Sequence, residues 1–518
     1  NDRTYTYYDN YVRVKPRDEK YVLTDLGPRQ LAAVTVDEEK KAKIDNRDKK
    51  PNQLRKDRGD GEVFQTNLLV KLLTVVINKL SSLDPEGVGI EMEANKPGWY
   101  DALNGLPGIF GSSTPEVMEL FRLIDYLLEK INQIQPTVEL PEELYEFMNK
   151  LHQNLISWQS EEDDFIYWDK TTNLKEKYRD KVFKGISGST EKVHYKEIYS
   201  FLNNGKKRLI SAIEKSYNQE NGIYNTYYYY LPEKYEKTGE LSQEGYPCIK
   251  VKKFKQHILP PFLEGQVRAM KVIDDKENAL NLHHSICKSE LYDEKLNMFR
   301  LNGDLSDMPD DIGRARAFSP GWLENGSIWL HMEYKYLLEL LKSNLNEEFY
   351  KSMKNALIPF QDPQRYGRSI LENSSFIMSS LNSDIENHGR GYIARLSGST
   401  AEFLHMWSLI TFGHQPFVYE NDKLCFKPAP ILQKDMFTRE DKEVSVQLSK
   451  MKKVNLKIPK NSFAFRLLGH TIAVYHNPEN KNTFGDNKVS VKSFELSINA
   501  KKINIKGDKI EGKYAKKL

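Results

Sequence analysis

The run Lys96–Ser113, KPGWYDALNGLPGIFGSS, constrains this chain more than any other stretch, because it packs four glycines and two prolines around one carboxylate. Gly and Pro fix backbone angles that an ordinary surface loop does not need. Asp101 follows Trp99 by two residues and precedes Asn104 by three. A flat Trp offers a platform for a ring, and an Asp beside apolar residues can hold a raised pKa and act as a general acid. The combination points to carbohydrate chemistry. The plainer reading is a tight loop leading into a helix, with Trp99 as ordinary core.

The rest of the composition narrows the choice by exclusion. Lysine and arginine number 76 against 73 acidic residues, a net charge of +3, so no global charge argues for a nucleic-acid or membrane partner. The three cysteines, Cys248, Cys287 and Cys425, are odd in number and far apart, which predicts neither a disulfide framework nor a zinc set and fits a reducing, cytoplasmic setting. No apolar run approaches the roughly 18 residues of a membrane span. His283, His284 and Cys287 are a weak metal candidate without a second ligand cluster, so no metal is expected.

The hydrophobic pattern divides the chain in three. Residues 1–61 read as extended pieces (Tyr11–Val14, Leu31–Val36) and a charge-rich linker from Asp37 to Asp60. Residues 62–420 read as mainly helical, with helical spacing at Glu62–Leu83, Thr114–Ile131, Glu142–Leu155, Tyr195–Tyr217, Ile328–Leu345 and Thr400–Thr411. Thr114 is expected as a helix cap with Pro115 in the first turn. Long helices joined by long, Gly- and aromatic-rich loops predict an α/α array whose loops build a site. Residues 421–518 change to an alternating pattern over short segments such as Val454–Ile458, Phe463–Leu467, Val489–Val491 and Phe494–Ile498, which predicts a small antiparallel β-domain.

Further motifs lie in the helical region. Ser319–His331, SPGWLENGSIWLH, sets Glu324 and Asn325 seven and six residues before His331; on a helix, seven residues return to one face. Tyr366–Phe376 repeats a Leu-Glu-Asn pattern and contributes Glu372. Ala394–Phe403 places Ser399 and Glu402 at capping-box spacing, and the amides after Ser397 and Gly398 would suit a phosphate at a helix start. The tyrosines Tyr227–Tyr230 and the segment Phe254–Ala269 either line a groove or pack.

Together these residues resemble the inverting cellobiose-phosphorylase-type enzymes, glycoside hydrolase family 94. Trp99-Tyr100-Asp101 with Asn104 is similar to that family's Trp-Asn-Asp signature, Glu324-Asn325 with His331 to its Glu-Asn segment and phosphate-binding His, and Ser397-Gly398 to its phosphate loop. The resemblance covers roughly 60–510. It implies a mainly α fold, an (α/α)6 barrel that is complete or lacks its first helices, followed by a small antiparallel β-sandwich. It further implies a glycosyltransferase of the phosphorylase type: Asp101 as general acid, Trp99, Tyr100, Asn104, Glu324 and Asn325 on the sugar, and His331, Ser397 and Gly398 on inorganic phosphate, the nucleophilic co-substrate. No other cofactor is implied, and the expected partners are a β-linked gluco-oligosaccharide and phosphate.

The sequence departs from the family at Tyr100, where the signature has Asn, and at Gly98, where an Asp usually precedes it. Only 100 residues precede Asp101. Two alternatives therefore stand beside phosphorolysis. One is an inverting hydrolase on the same barrel with Glu324 or Glu372 as base. The other is a non-catalytic subunit whose barrel is completed by a companion N-terminal chain, in place of the homodimer common among such enzymes.

Overall fold

A computed structural model of the chain describes residues 4–94, 98–394, 398–449, 452–469, 471–498 and 501–518. They form two compact units, the first Asn1–Glu333, Asp362–Arg368 and Phe376–Ile393, the second Tyr334–Gln361, Ser369–Ser375 and Ala394–Leu518. The expected boundary near residue 420 is thus not where the contacts divide. The second unit takes in helical segments as well as the C-terminal strands.

In the first unit five helices share one apolar core: α1 (Leu68–Leu80), α2 (Thr114–Ile134), α3 (Glu142–Glu161), α4 (Asp164–Phe183) and α5 (Tyr195–Ser216). Their inward positions, among them Leu73, Ile77, Ile124, Leu151, Phe201 and Leu209, are fully buried, and this area removed from water is what holds the array together. α1 is shorter than its apolar pattern predicts. Asn67 caps it by accepting from the Val70 amide at 3.0 Å, and the residues before it are extended, with Val63 and Thr66 bridged to Arg55 and Tyr5. Nor is it buried all round, since Leu68 and Val75 are exposed. Helix α4 has no counterpart among the expected helices, because its charges occur on every side and hide the buried stripe of Tyr167, Trp168, Thr171 and Lys175.

The same unit contains a six-stranded antiparallel sheet that the helical reading does not foresee. Its strands are β1 (Tyr21–Thr24), β2 (Gly27–Gln30), β3 (Ile90–Glu91), β4 (Ser112–Ser113), β5 (Tyr227–Leu241) and β6 (Pro247–Ile258), in the spatial order β2-β1-β6-β5-β4-β3. Tyr227–Tyr230 are buried on β5, so the tyrosine run packs this sheet. Where the resemblance implies an (α/α)6 barrel, the first unit combines a helical core with this sheet.

The segment read as an exposed linker instead docks on the first unit. Asp37 caps a helix over Glu38–Asp45 by accepting from the Lys40 amide. Lys40 reaches the buried Asp9 at 2.6 Å, and Arg47 reaches the same carboxylate at 2.9 Å. A charge-rich sequence can be ordered here because its charges have buried partners.

In the second unit the C-terminal strands are antiparallel, as expected, but they form separate hairpins, Lys442–Ser449 with Lys452–Ile458, Ser462–Leu467 with Thr471–His476, and Ser493–Ile498 with Lys501–Lys506. Val489–Val491 is not a strand. No described helix is long and apolar enough to cross a membrane.

Candidate active site

The Gly-rich run folds as a chain of tight turns after Trp99. The Leu103 amide donates to Tyr100 O, the Gly105 amide to Ile312 O at 3.2 Å, and the Ala315 amide to Ala102 O at 3.1 Å, so two backbone hydrogen bonds join the loop 100–106 to the loop 310–315. Glycine is required at that contact. A Cβ on Gly105 would lie 2.0 Å from Asp311 O, and Gly313, at φ +121°, would bring a Cβ 2.4 Å from Asn104 Oδ1. The run then forms a 3-10 turn over Leu106–Ile109 and enters β4 and α2. Thr114 is the first residue of α2, but its hydroxyl bonds Asn225 O at 2.8 Å instead of capping the helix.

This docking delivers a residue that no sequence motif singles out. Arg314 Nη2 donates to Asp101 Oδ1 at 3.0 Å and lies 3.4 Å from Glu324 Oε1, so two carboxylates more than two hundred residues apart meet on one nitrogen. The Arg314 amide is held by Asn104 Oδ1 at 3.1 Å. Burial works against its charge, yet the hydrogen bonds and charges of Asp101 and Glu324 outweigh it and hold the guanidinium above its ordinary value. The Asp101 side chain is 61% exposed, that of Arg314 45% and that of Glu324 15%. The apolar enclosure expected around Asp101 is replaced by an arginine partner.

Tyr100, expected on the sugar, is 3% exposed and serves as a strut. Its ring stands edge-on to Phe262 at 5.1 Å, and its hydroxyl donates to the Glu324 carbonyl, tying the Asp101 loop to the Glu324 turn. Asn325 is also spent on structure. It is fully buried, accepting from the Leu305 amide at 2.9 Å and donating to Phe318 O at 2.9 Å. Asn104 contributes through the Arg314 backbone.

Glu324 and His331 do not share a helix face, because the chain makes a turn at Trp322–Asn325 and a short strand, Ile328–Trp329, before the helix Leu330–Lys342 begins. His331 nevertheless reaches the Asp101 loop, meeting the Trp99 ring edge-on with centroids 5.8 Å apart. The first unit thus brings together Trp99, Tyr100, Asp101, Asn104, Glu324, Asn325 and His331, with Arg314 added.

Glu372 and Gly398 belong to the second unit. Glu372 is exposed in a turn, and Gly398 is the first residue of the helix Gly398–Phe412. Ser397 lies outside the described residues. Glu402, expected in a capping box, pairs with Lys335 at 2.8 Å. His283 Nε2 lies 3.6 Å from Cys287 Sγ, and no group of metal-ligating side chains occurs among the described residues.

No protein-family model matches the sequence, and no curated protein matches it. Among solved structures, a GH63 mannosylglycerate hydrolase from Thermus thermophilus in complex with glucose is similar over 66% of this chain and 91% of its own, at 11% identity and a TM-score of 0.25. The same hydrolase in complex with Tris is similar over 72% and 99%, at 10% identity and a TM-score of 0.23. An uncharacterized conserved protein from Thermus thermophilus is similar over 57% of this chain, which spans 53% of that protein's length, at 13% identity and a TM-score of 0.24. Likenesses of this size place no residue of the site.

Proposed function

We propose that this chain cleaves a glycosidic bond by hydrolysis, with Asp101 as general acid and Glu324 as the base that activates water. The observation that carries the reading is the pair of carboxylates on one Arg314 nitrogen, 3.0 and 3.4 Å away. Two facing carboxyl groups are what glycoside hydrolysis requires, one to protonate the leaving oxygen and one to take a proton from water. Their bonded oxygens are no farther apart than those two distances combined, which is less than the roughly 6.5–9.5 Å that an inverting hydrolase leaves for its water. Arg314 Nη2 sits between the two carboxylates. Water attacks the anomeric carbon, its proton passes to Glu324, and the proton of Asp101 goes to the departing oxygen.

Phosphorolysis is the second reading, favoured by the same arginine. Arg314 is half exposed between the carboxylates, and His331 packs on Trp99 beside them, so both could hold phosphate in place of water. The experiment is product analysis on β-linked gluco-oligosaccharides with and without inorganic phosphate. Free sugar formed without phosphate supports hydrolysis, and sugar 1-phosphate formed only with phosphate overturns it in favour of phosphorolysis. No turnover in either condition overturns both.

A further inference from the structure

Trp99 also lines a cavity of about 430 Å³ that the carboxylate pair does not explain. Its wall mixes apolar side chains such as Ile90 and Met92 with charged ones, and the charged groups are already settled in ion pairs. Arg268 meets Glu119 at 2.5 Å and lies 3.6 Å from Glu264, Arg179 pairs with Glu93, and Lys79 pairs with Glu116. Tyr227 donates its hydroxyl to Glu264. We propose that this cavity binds the ring of a neutral pyranose stacked on Trp99, with Glu264 and Arg268 as its principal hydrogen-bonding partners.

The ligand class follows from what the wall can and cannot offer. Each lining cation already faces a carboxylate, and the lining holds Glu91, Glu93, Glu116, Glu119 and Glu264 against Lys79, Arg179 and Arg268, so an anion would enter against the local charge. A sugar hydroxyl both donates and accepts, and can use the spare lone pairs of these carboxylates and the spare N–H groups of these guanidiniums without breaking the pairs. The C–H face of a pyranose is apolar and complements the negative face of an indole. Burial pushes the Glu264 carboxyl up, against the opposing pull of Tyr227 and Arg268.

The framework around these groups is rigid. Glu264 is 4% exposed in the first turn of the helix Leu263–Met270, and Tyr227 is paired through β5 to Ser113 on β4. A Cβ on Gly265 would lie 2.1 Å from Thr226 Oγ1, so the helix start sits hard against the residue that leads into β5. The volume is within the range of small-molecule sites, about 300–1,000 Å³. Trp99, two residues from Asp101, connects the cavity to the reacting groups. The inference rests on the glycosidic-bond reading for its biological meaning, although binding itself can be measured without it.

The test titrates the full chain with D-glucose, D-mannose and D-galactose, followed by tryptophan fluorescence and calorimetry, with inorganic phosphate as the anionic probe. At least one sugar is expected to bind, with affinity falling tenfold or more in Trp99→Ala and Glu264→Gln, and phosphate is expected not to compete. Arg268→Gln, at the other principal partner, serves should Glu264→Gln fail to fold. Binding that is unchanged in folded variants, competition by phosphate, or no binding of any of the three sugars overturns the proposal. Sugar binding that depends on Trp99 and Glu264 in a chain that cleaves no glycoside keeps the cavity and overturns the glycosidic-bond reading. Glycoside cleavage with KM unmoved by both variants does the reverse.

Discussion

Arg314 Nη2 lies 3.0 Å from Asp101 Oδ1, and the Arg314 amide is bonded to Asn104, three residues beyond that aspartate. Beyond their two backbone hydrogen bonds, the loops are thus joined by a charge pair and by a side chain on backbone. Asp101→Asn keeps the shape but removes the transferable proton. We expect kcat to fall by about 10²–10⁴-fold, the usual contribution of a positioned acid. The melting temperature should hardly move, since a pair with both partners this exposed is worth about 0–1 kcal/mol. Rates on β-linked gluco-oligosaccharides alongside thermal melts check this, and a variant keeping more than a tenth of wild-type activity removes Asp101 from the role.

Glu324 is the less exposed carboxylate, and Glu324→Ala separates its role from that of Asp101. If Glu324 activates water, truncation leaves space in which a small anion can do the nucleophile's work. Added azide should then restore part of the lost turnover in Glu324→Ala and none in Asp101→Ala. Restoration in both, or in neither, contradicts the assignment of base and acid.

Gly105 carries the docking of the two loops. In Gly105→Ala the new Cβ would meet Asp311 O at 2.0 Å, and backbone cannot step aside as a side-chain tip can. We expect a loss of about 1–3 kcal/mol together with reduced turnover, because the loop that shifts carries Arg314. Gly108→Ala is the control, its Cβ meeting only Gln30 O at 3.7 Å. Chemical denaturation of the two variants should show a clear difference in midpoint, and equal midpoints would remove the steric argument.

The sequence is most legible where one local rule dominates. The helices Thr114–Ile134 and Tyr195–Ser216 follow their apolar spacing closely, and the Gly-Pro run around Asp101 does form a constrained loop at the candidate site. Arg314 is invisible in the sequence because its role comes from a backbone contact between distant loops, and no spacing in Asp310–Ala317 signals that contact. Tyr100 and Asn325 are placed on the sugar only by the resemblance, through the motifs in which they stand. Burial diverts both to holding the loops in place. The charged segment after Asp37 misleads for a related reason, since partners such as Asp9 lie far away in sequence.

Asp9 makes that last point testable. It is 3% exposed and pairs with both Lys40 and Arg47, and Lys40 Nζ also sits 4.2 Å from the centroid of the Phe183 ring. Removing one charge from a buried set leaves the others uncompensated, a cost of about 3–5 kcal/mol. Asp9→Ala should loosen the helix Glu38–Asp45 and expose its lysines. Trypsin should then cut within residues 38–50 at least tenfold faster than in wild type, and an unchanged cutting rate would mean that this cluster does not anchor the segment.

Glu333 provides a prediction on pH. Its side chain is fully buried in the first turn of the helix Leu330–Lys342, and burial drives its pKa well above the ordinary 4.5, opposed by the Phe299 amide at 2.9 Å and reinforced by nearby Asp293. A carboxyl held protonated in the fold but free to ionise when unfolded binds more protons in the native state. Stability from this group is therefore intact below pH 4.5 and is lost as pH rises through and beyond that value toward the raised one. Glu333→Gln keeps an oxygen for the Phe299 amide and cannot ionise. The melting temperature of the variant relative to wild type should climb steadily from pH 4 to pH 7, whatever constant offset the amide introduces. A difference that stays flat across that range would show that Glu333 ionises alike in the folded and unfolded chain.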